Sequence, residues 1–239
     1  MKKIIGLIFI VNFCHIYAQD TLPNTEEKFN YKKMILPLSL ITIGGIFKTP
    51  YLQRNIQKDV RNTFGDSFQV RADDYFQHLP AVQILAGNLI GFKSQHCFKQ
   101  KVVNLAISNA IVGVVIYAAK SIAKDNRPDN SARNSFPSGH NATAFNNATL
   151  LFLEYRKDNI WYATSGYLFA VSTAVLRMAN NRHWSGDVFA GAGVGCATAI
   201  IVNCWNPFKF HQKNKDIGII GYPIIGTKNY GLGLVYQIK

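Results

Sequence analysis

Arg177-Met178-Ala179-Asn180-Asn181-Arg182-His183-Trp184-Ser185-Gly186-Asp187 is the stretch around which the rest of the chain is arranged. It holds two cations, an imidazole and a carboxylate, and apolar, helix-like sequence flanks it on both sides. Polar groups at the end of an apolar hairpin are costly unless they bind one another or something else. His183 and Asp187 are four apart and share a face if a helix starts here. The carboxylate can then hold one ring nitrogen and leave the other free to attack. Arg177 and Arg182 add positive charge for an anion. The pattern reads as half of a phosphoryl-transfer site at the junction of two helices.

Working outward, residues 160–178 and 188–205 read as the two flanking helices. The second carries Gly191, Gly193 and Gly195, small residues that let helices approach closely. Residues 141–155 form a further helix with Asn146 and Asn147 inside it, and a charged turn, Arg156, Lys157 and Asp158, follows. Residues 102–119 are the cleanest apolar helix and end at Lys120. Pro128 and Pro137 break residues 120–140 into a polar loop. Residues 79–92 are apolar and lead into a basic connector with Lys93, His96, Lys99 and Lys101. Residues 34–47 contain Pro37, Gly44 and Gly45, and read as a short core helix or a marginal membrane span. Residues 48–78 are expected to hold one or two amphipathic surface helices, with Asp73 and Asp74 as a cap or solvated turn. Near the end, Ile217 and Ile219, then Tyr230, Leu232, Leu234, Tyr236 and Ile238, alternate as in a β-hairpin. The expectation is an all-α, up-down bundle of about six core helices with a phosphate site at one end, plus a short C-terminal β-hairpin.

Charge and composition agree with an anionic ligand. The chain of 239 residues has 26 basic and 13 acidic residues, a net charge of +13. Such an excess points to phosphate esters, anionic lipid or nucleic acid. The basic residues are spread along the chain and no nucleic-acid module is present, so nucleic acid is set aside. Hydrophobic residues make up 48 %, enough for a large core, yet mean hydropathy is only +0.02, low for a chain that is mostly membrane span. At the N-terminus, Lys2 and Lys3 precede an apolar run over 4–13, then Tyr17 and Ala18. This reads as a secretory signal peptide cleaved near Ala18 or Gln19, with an uncleaved anchor as the other reading. Cys97, Cys196 and Cys204 have no paired spacing and read as small buried apolar residues.

The second half of the site lies in the 120–140 loop. Three clusters occur in order: Lys120 with Arg127 and Pro128; Pro137, Ser138, Gly139 and His140; and Arg177 with His183 and Asp187. Together they resemble the type 2 phosphatidic acid phosphatase superfamily, which also contains bacterial class A acid phosphatases and vanadium haloperoxidases. The resemblance runs over about residues 79–205. It departs at Leu176, where the family usually has Ser. A phosphate dianion needs several fixed donors, because charge in the transition state spreads over its equatorial oxygens. Lys120, Arg127 and Arg177 supply that charge, and Arg forks suit phosphate oxygens. Ser138 and Gly139 stand where backbone N–H groups open a helix, a ready anion site. The resemblance implies that His183 attacks phosphorus and forms a phosphohistidine, that Asp187 orients it, and that His140 protonates the leaving oxygen and then activates water. It implies no cofactor and no metal. Arg182, Arg133 and Lys124 read as solvated charges near the mouth. His78, His96 and His211 read as surface residues, and Trp184 as packing at the hairpin end.

The chain is thus expected to divide into a signal peptide over 1–19, leader and amphipathic segments over 20–78, a phosphatase helical core over 79–206 and a tail over 207–239. The expected substrate is a phosphorylated envelope lipid (lipid A, undecaprenyl pyrophosphate or phosphatidate type) acted on at the membrane. Three alternatives remain open: a soluble, broad-specificity periplasmic acid phosphatase, a vanadate-dependent haloperoxidase, and a non-enzymatic binding protein. Positive connectors opposite the site suit a cytoplasmic side and leave the site facing the periplasm. A cleaved signal peptide followed by six spans would instead put Lys120 in the cytoplasm. Either residues 34–47 do not span, the N-terminal segment stays in the membrane, or the helices form a water-facing bundle. Asn104, Asn109, Asn146 and Asn147 would be expensive in lipid, which favours partial or peripheral embedding.

Overall fold

The structure is a computed structural model that describes residues 29–205, Phe208 and Phe210, and the backbone of 217–225 and 230–238. The expected signal peptide and His211 lie outside the described residues. After a 3-10 turn, α1 (Ile35–Ile46) and α2 (Pro50–Phe64) meet at a 94° bend. Pro50 sits in the first turn of α2, where its missing N–H costs nothing. A four-residue helix, α3 (Asp73–Phe76), precedes α4 (Leu79–Ala86). The bundle then follows as α5 (Phe98–Ala123), α6 (Gly139–Tyr155), α7 (Ile160–Ala179) and α8 (Ser185–Trp205). Beyond it the backbones of β1 (Ile217–Ile225) and β2 (Tyr230–Ile238) pair antiparallel, with Ile217 opposite Ile238.

The centre of the bundle is α6, which packs against α4, α5, α7 and α8. Its Leu150, Leu151 and Tyr155 form the main apolar cluster with Ile84, Leu105, Ala163 and Ala199. Contact with α8 is close because glycines face it. A Cβ on Gly191 would stand 2.4 Å from the Ser138 carbonyl oxygen, and one on Gly195 would stand 2.2 Å from that of Ala142. On another face of α8, α1 approaches just as closely, through Gly44 and Gly186.

Helix α5 buries polar side chains beside the apolar Leu105, Val112 and Ile116, and exposes a broad apolar face. Its buried side includes Gln100, Lys101, Asn104 and Ser108, while Val114, Tyr117 and Ile122 are 70 %, 76 % and 84 % exposed. The asparagines that looked expensive in lipid face protein. Asn146 donates to Ser108 Oγ at 3.0 Å, Asn109 to Asn147 Oδ1 at 2.9 Å, and Asn147 to the Gln77 carbonyl at 3.1 Å. At 26 residues α5 is about 39 Å long, more than a bilayer core. It and α8 are long and apolar enough to cross a membrane, and the bent pair that includes α1 and α2 makes a third candidate.

Two expectations for the basic connector fail. Lys101 is buried in α5, not in a loop, and its ammonium donates to the Ile84 carbonyl, Asn88 Oδ1 and the Tyr155 hydroxyl. His96 is not a free surface residue. Its Nδ1 meets Glu154 Oε2 at 2.8 Å, and its backbone N–H donates to Glu154 Oε1. In both cases the partners are far away in sequence.

Candidate active site

The three sequence clusters meet at one end of the bundle: the C-terminus of α5, the N-terminus of α6, and the turn from α7 to α8. That turn wraps the end of α7. Asn181 adopts a left-handed conformation, and the backbone N–H groups of Arg182 and His183 both donate to the Arg177 carbonyl. His183 is thereby fixed just ahead of α8. Only 1 % of it is exposed.

Asp187 is the hub. Its carboxylate caps α8 by accepting the Trp184 N–H at 2.9 Å, in the manner of a capping box. The same oxygen, Oδ2, lies 3.4 Å from His183 Nδ1 and accepts the Ser135 hydroxyl. Its backbone carbonyl accepts the Ser138 N–H at 3.0 Å, which joins the second and third clusters. This corrects one expectation. The Ser138 N–H is already used, so the N–H groups that open α6 start at Gly139. The Ser138 hydroxyl, by contrast, is buried and has no partner.

The charges of Lys120 and Arg177 bear on His183, and that of Arg127 on Arg177 and Asp187. Lys120 donates to the Asn134 carbonyl, and Arg127 Nε to Asn134 Oδ1 at 3.0 Å, so one loop residue steers both. Arg177 is 8 % exposed, and its Nη1 pairs with Asp73 at 2.7 Å while its Nε is buried without a partner. Burial and the nearby Arg177 charge hold the Arg127 guanidinium below its usual value. Burial pushes the His183 imidazole down to about 4, against the pull of Asp187. His140, at the first turn of α6, is also lowered, by burial and then by Arg177. Asp74 opposes that shift. It contacts His140 Nε2 at 3.0 Å, and the bond holds the Asp74 carboxyl below its usual range.

Asp73 and Asp74 are therefore not a cap or a solvated turn. Asp73 is 2 % exposed. The polar atoms of Asp73, Asp74 and His140 all lie within 4.8 Å of one another. Spacing gave no hint of this, since position 73 meets position 177 only through the packing of α3 on α7. Ser135 and Asn134 were also missed, although both lie between two recognised clusters. Arg182 is not simply solvated, because it pairs with Asp129 at 3.1 Å. Trp184 Nε1 donates to the Asn126 carbonyl.

The bundle thus ends in a buried imidazole–carboxylate pair with Lys120, Arg127 and Arg177 close by and the first turn of α6 beside it. The PAP2 superfamily pattern matches residues 101–211, and the core of this chain belongs to that superfamily. Among characterised proteins, the lipid A 1-phosphatase of Porphyromonas gingivalis is 39 % identical over 164 residues, which cover 68 % of this chain. The chain spans only 37 % of that relative's length. Among solved structures, the transmembrane PAP2-type phosphatidylglycerolphosphate phosphatase of Bacillus subtilis superimposes with a TM-score of 0.52 at 18 % identity, over 72 % of this chain and 94 % of that one. It has the same fold. The Aquifex aeolicus LpxE structure gives a TM-score of 0.46 at 23 % identity, over 63 % of this chain and 93 % of that one.

Proposed function

We propose that this chain is a metal-independent phosphatase that removes phosphate from an envelope lipid through a phosphohistidine on His183. The observation that carries the reading is the buried His183, held at Nδ1 by Asp187, with the charges of Lys120 and Arg177 bearing on it and Arg127 close to Arg177 and Asp187. Because Nδ1 faces the carboxylate, Nε2 is the attacking atom. The ring is neutral near pH 7, as a nucleophile must be. In the first step an Nε2–P bond forms, the bond from phosphorus to the ester oxygen breaks, and His140 gives that oxygen a proton. In the second step His140 takes a proton from water, the hydroxide attacks phosphorus, and the N–P bond breaks. Lys120, Arg127, Arg177 Nε, the Ser138 hydroxyl and the N–H of Gly139 hold the phosphoryl oxygens throughout. Asp73 keeps Arg177 aimed, and Asp74 keeps His140 charged enough to act as an acid.

Substrates of the lipid A, undecaprenyl pyrophosphate and phosphatidate types all fit this chemistry, and the P. gingivalis relative supports the first. The apolar outer side of α5 supports a membrane enzyme over a soluble acid phosphatase. Lys93, Lys99, Arg156 and Lys157, at the far end of the bundle, support a site facing the periplasm. The test is phosphate release from a panel of lipid and soluble phosphates. His183→Ala should lose at least about a thousandfold in kcat/KM and no longer form an acid-labile phosphoprotein. Full activity in that variant refutes the proposal.

A further inference from the structure

Beside the site lies a cleft that the phosphate chemistry above does not use. Its volume is about 340 Å³, and it runs between α2 and the turn that carries His183. Pro128, next to Arg127, and Trp184, next to His183, form its wall on the site's side. The opposite wall is Arg54, Gln57, Lys58 and Arg61, and one carboxylate, Asp66, which pairs with Arg61, also lines the cleft. The four positions on α2 recur at helical spacing, so α2 turns its basic stripe toward the cleft.

The four residues are not equivalent. Arg61 is engaged, donating to the Ala179 carbonyl at 2.8 Å and to Asp66 at 3.3 Å. Arg54 and Lys58 pair with no carboxylate among the described residues. Gln57 is 6 % exposed, and its Nε2 donates to the Met178 carbonyl and to Asn181 Oδ1. Its Oε1 is buried without a partner. An orphaned buried acceptor is costly, and a ligand hydroxyl or amide would satisfy it. Two unpaired cations beside one buried acceptor suit an anion mounted on a hydroxylated group, rather than a bare lipid tail or a lone cation.

We infer that this cleft binds a second anionic group, carried on the sugar headgroup of the same substrate molecule whose phosphate is cleaved at His183. The inference rests on the phosphatase reading and narrows it to headgroups with two separated anions. Catalytic phosphate and remote phosphate are then held by different elements, the former by α5 to α8 and the latter by α2.

The test is titration calorimetry on the full chain in neutral detergent, made inactive by His183→Ala. The probes are a deacylated glucosamine disaccharide with one phosphate at its reducing end, and the same disaccharide with a second phosphate on the other sugar. The bisphosphate should bind at least tenfold more tightly. Arg54→Ala combined with Lys58→Ala should bring it within about twofold of the monophosphate and leave monophosphate affinity unchanged. Inorganic phosphate added to the monophosphate should not reproduce the gain. Equal affinity for the two sugars, no binding of either, an equal loss for both in the double variant, or a gain from free phosphate would each overturn the inference. The two readings fail separately. Should the active protein release phosphate from mono- and bisphosphorylated lipids with equal efficiency, the cleft assignment falls and the phosphatase stands. If it releases none while the bisphosphate preference persists, the phosphatase falls and the cleft stands.

Discussion

His140 is held at Nε2 by a carboxylate that stands partly in water, so its proton affinity is a balance between burial and Asp74. Burial and Arg177 favour the neutral ring, and Asp74 favours the charged one. If His140 is the general acid, activity falls as pH rises through its pKa. Asp74→Asn removes a group that raises that pKa, so protonated His140 is lost at lower pH. The basic limb of the kcat/KM profile should then move toward acid by about half a pH unit or more, the modest size reflecting Asp74's exposure. An unmoved limb would leave Asp74 with no part in setting the acid. Asp73 answers to a different measurement. It and Arg177 form a buried pair, and removing one partner leaves a charge without compensation. Asp73→Asn should cost at least about 2 kcal/mol in denaturant unfolding. Added phosphate should return part of that, because Arg177 then gains another anion. A loss that phosphate leaves untouched would mean that Arg177 does not meet the ligand.

Helix α8 brings the clusters together because it is smooth on the side that faces α6. Gly191 lies against the Ser138 carbonyl and Gly195 against that of Ala142, one turn further from the site. Alanine at either position forces α8 and α6 apart at similar distances, at a cost of about 1–3 kcal/mol. The expected effects on stability are therefore alike, while those on catalysis differ. Gly191→Ala displaces the residue that opens α6 toward the phosphate, and should lower kcat/KM at least tenfold. Gly195→Ala should lower it much less. An equal loss in both folded variants would show that the seam does not position the site. The apolar runs and the Pro-broken loop made these helices legible in sequence, as did the three clusters at their ends. Asp73, Asp74, Lys101 and His96 were not legible, for one physical reason. A charged residue reads as solvated until its partner is known, and Arg177, His140, Tyr155 and Glu154 become partners only after the helices pack.

Across the whole molecule, α5 turns Lys101 and Asn104 inward beside Leu105, Val112 and Ile116, and leaves Val114, Tyr117 and Ile122 outward. In water such an exterior would be an aggregation surface, whereas in a bilayer it is the expected one. With α5 in a bilayer, the site at its end would lie near the membrane surface, as the proposed lipid substrate requires. Val114 and Ile122 separate these two cases, because they are 70 % and 84 % exposed and a water-facing bundle would leave both open to solvent. They differ in depth: Ile122 lies beyond Lys120 at the site end of α5, and Val114 about 12 Å back along the helix. Each can be changed to Cys in a chain whose native cysteines are replaced by alanine, and treated in intact membranes with a membrane-impermeant maleimide. Ile122→Cys should label and Val114→Cys should resist, with both labelling once the protein is unfolded in detergent. Equal labelling in membranes would place α5 in water and return the choice to a soluble enzyme.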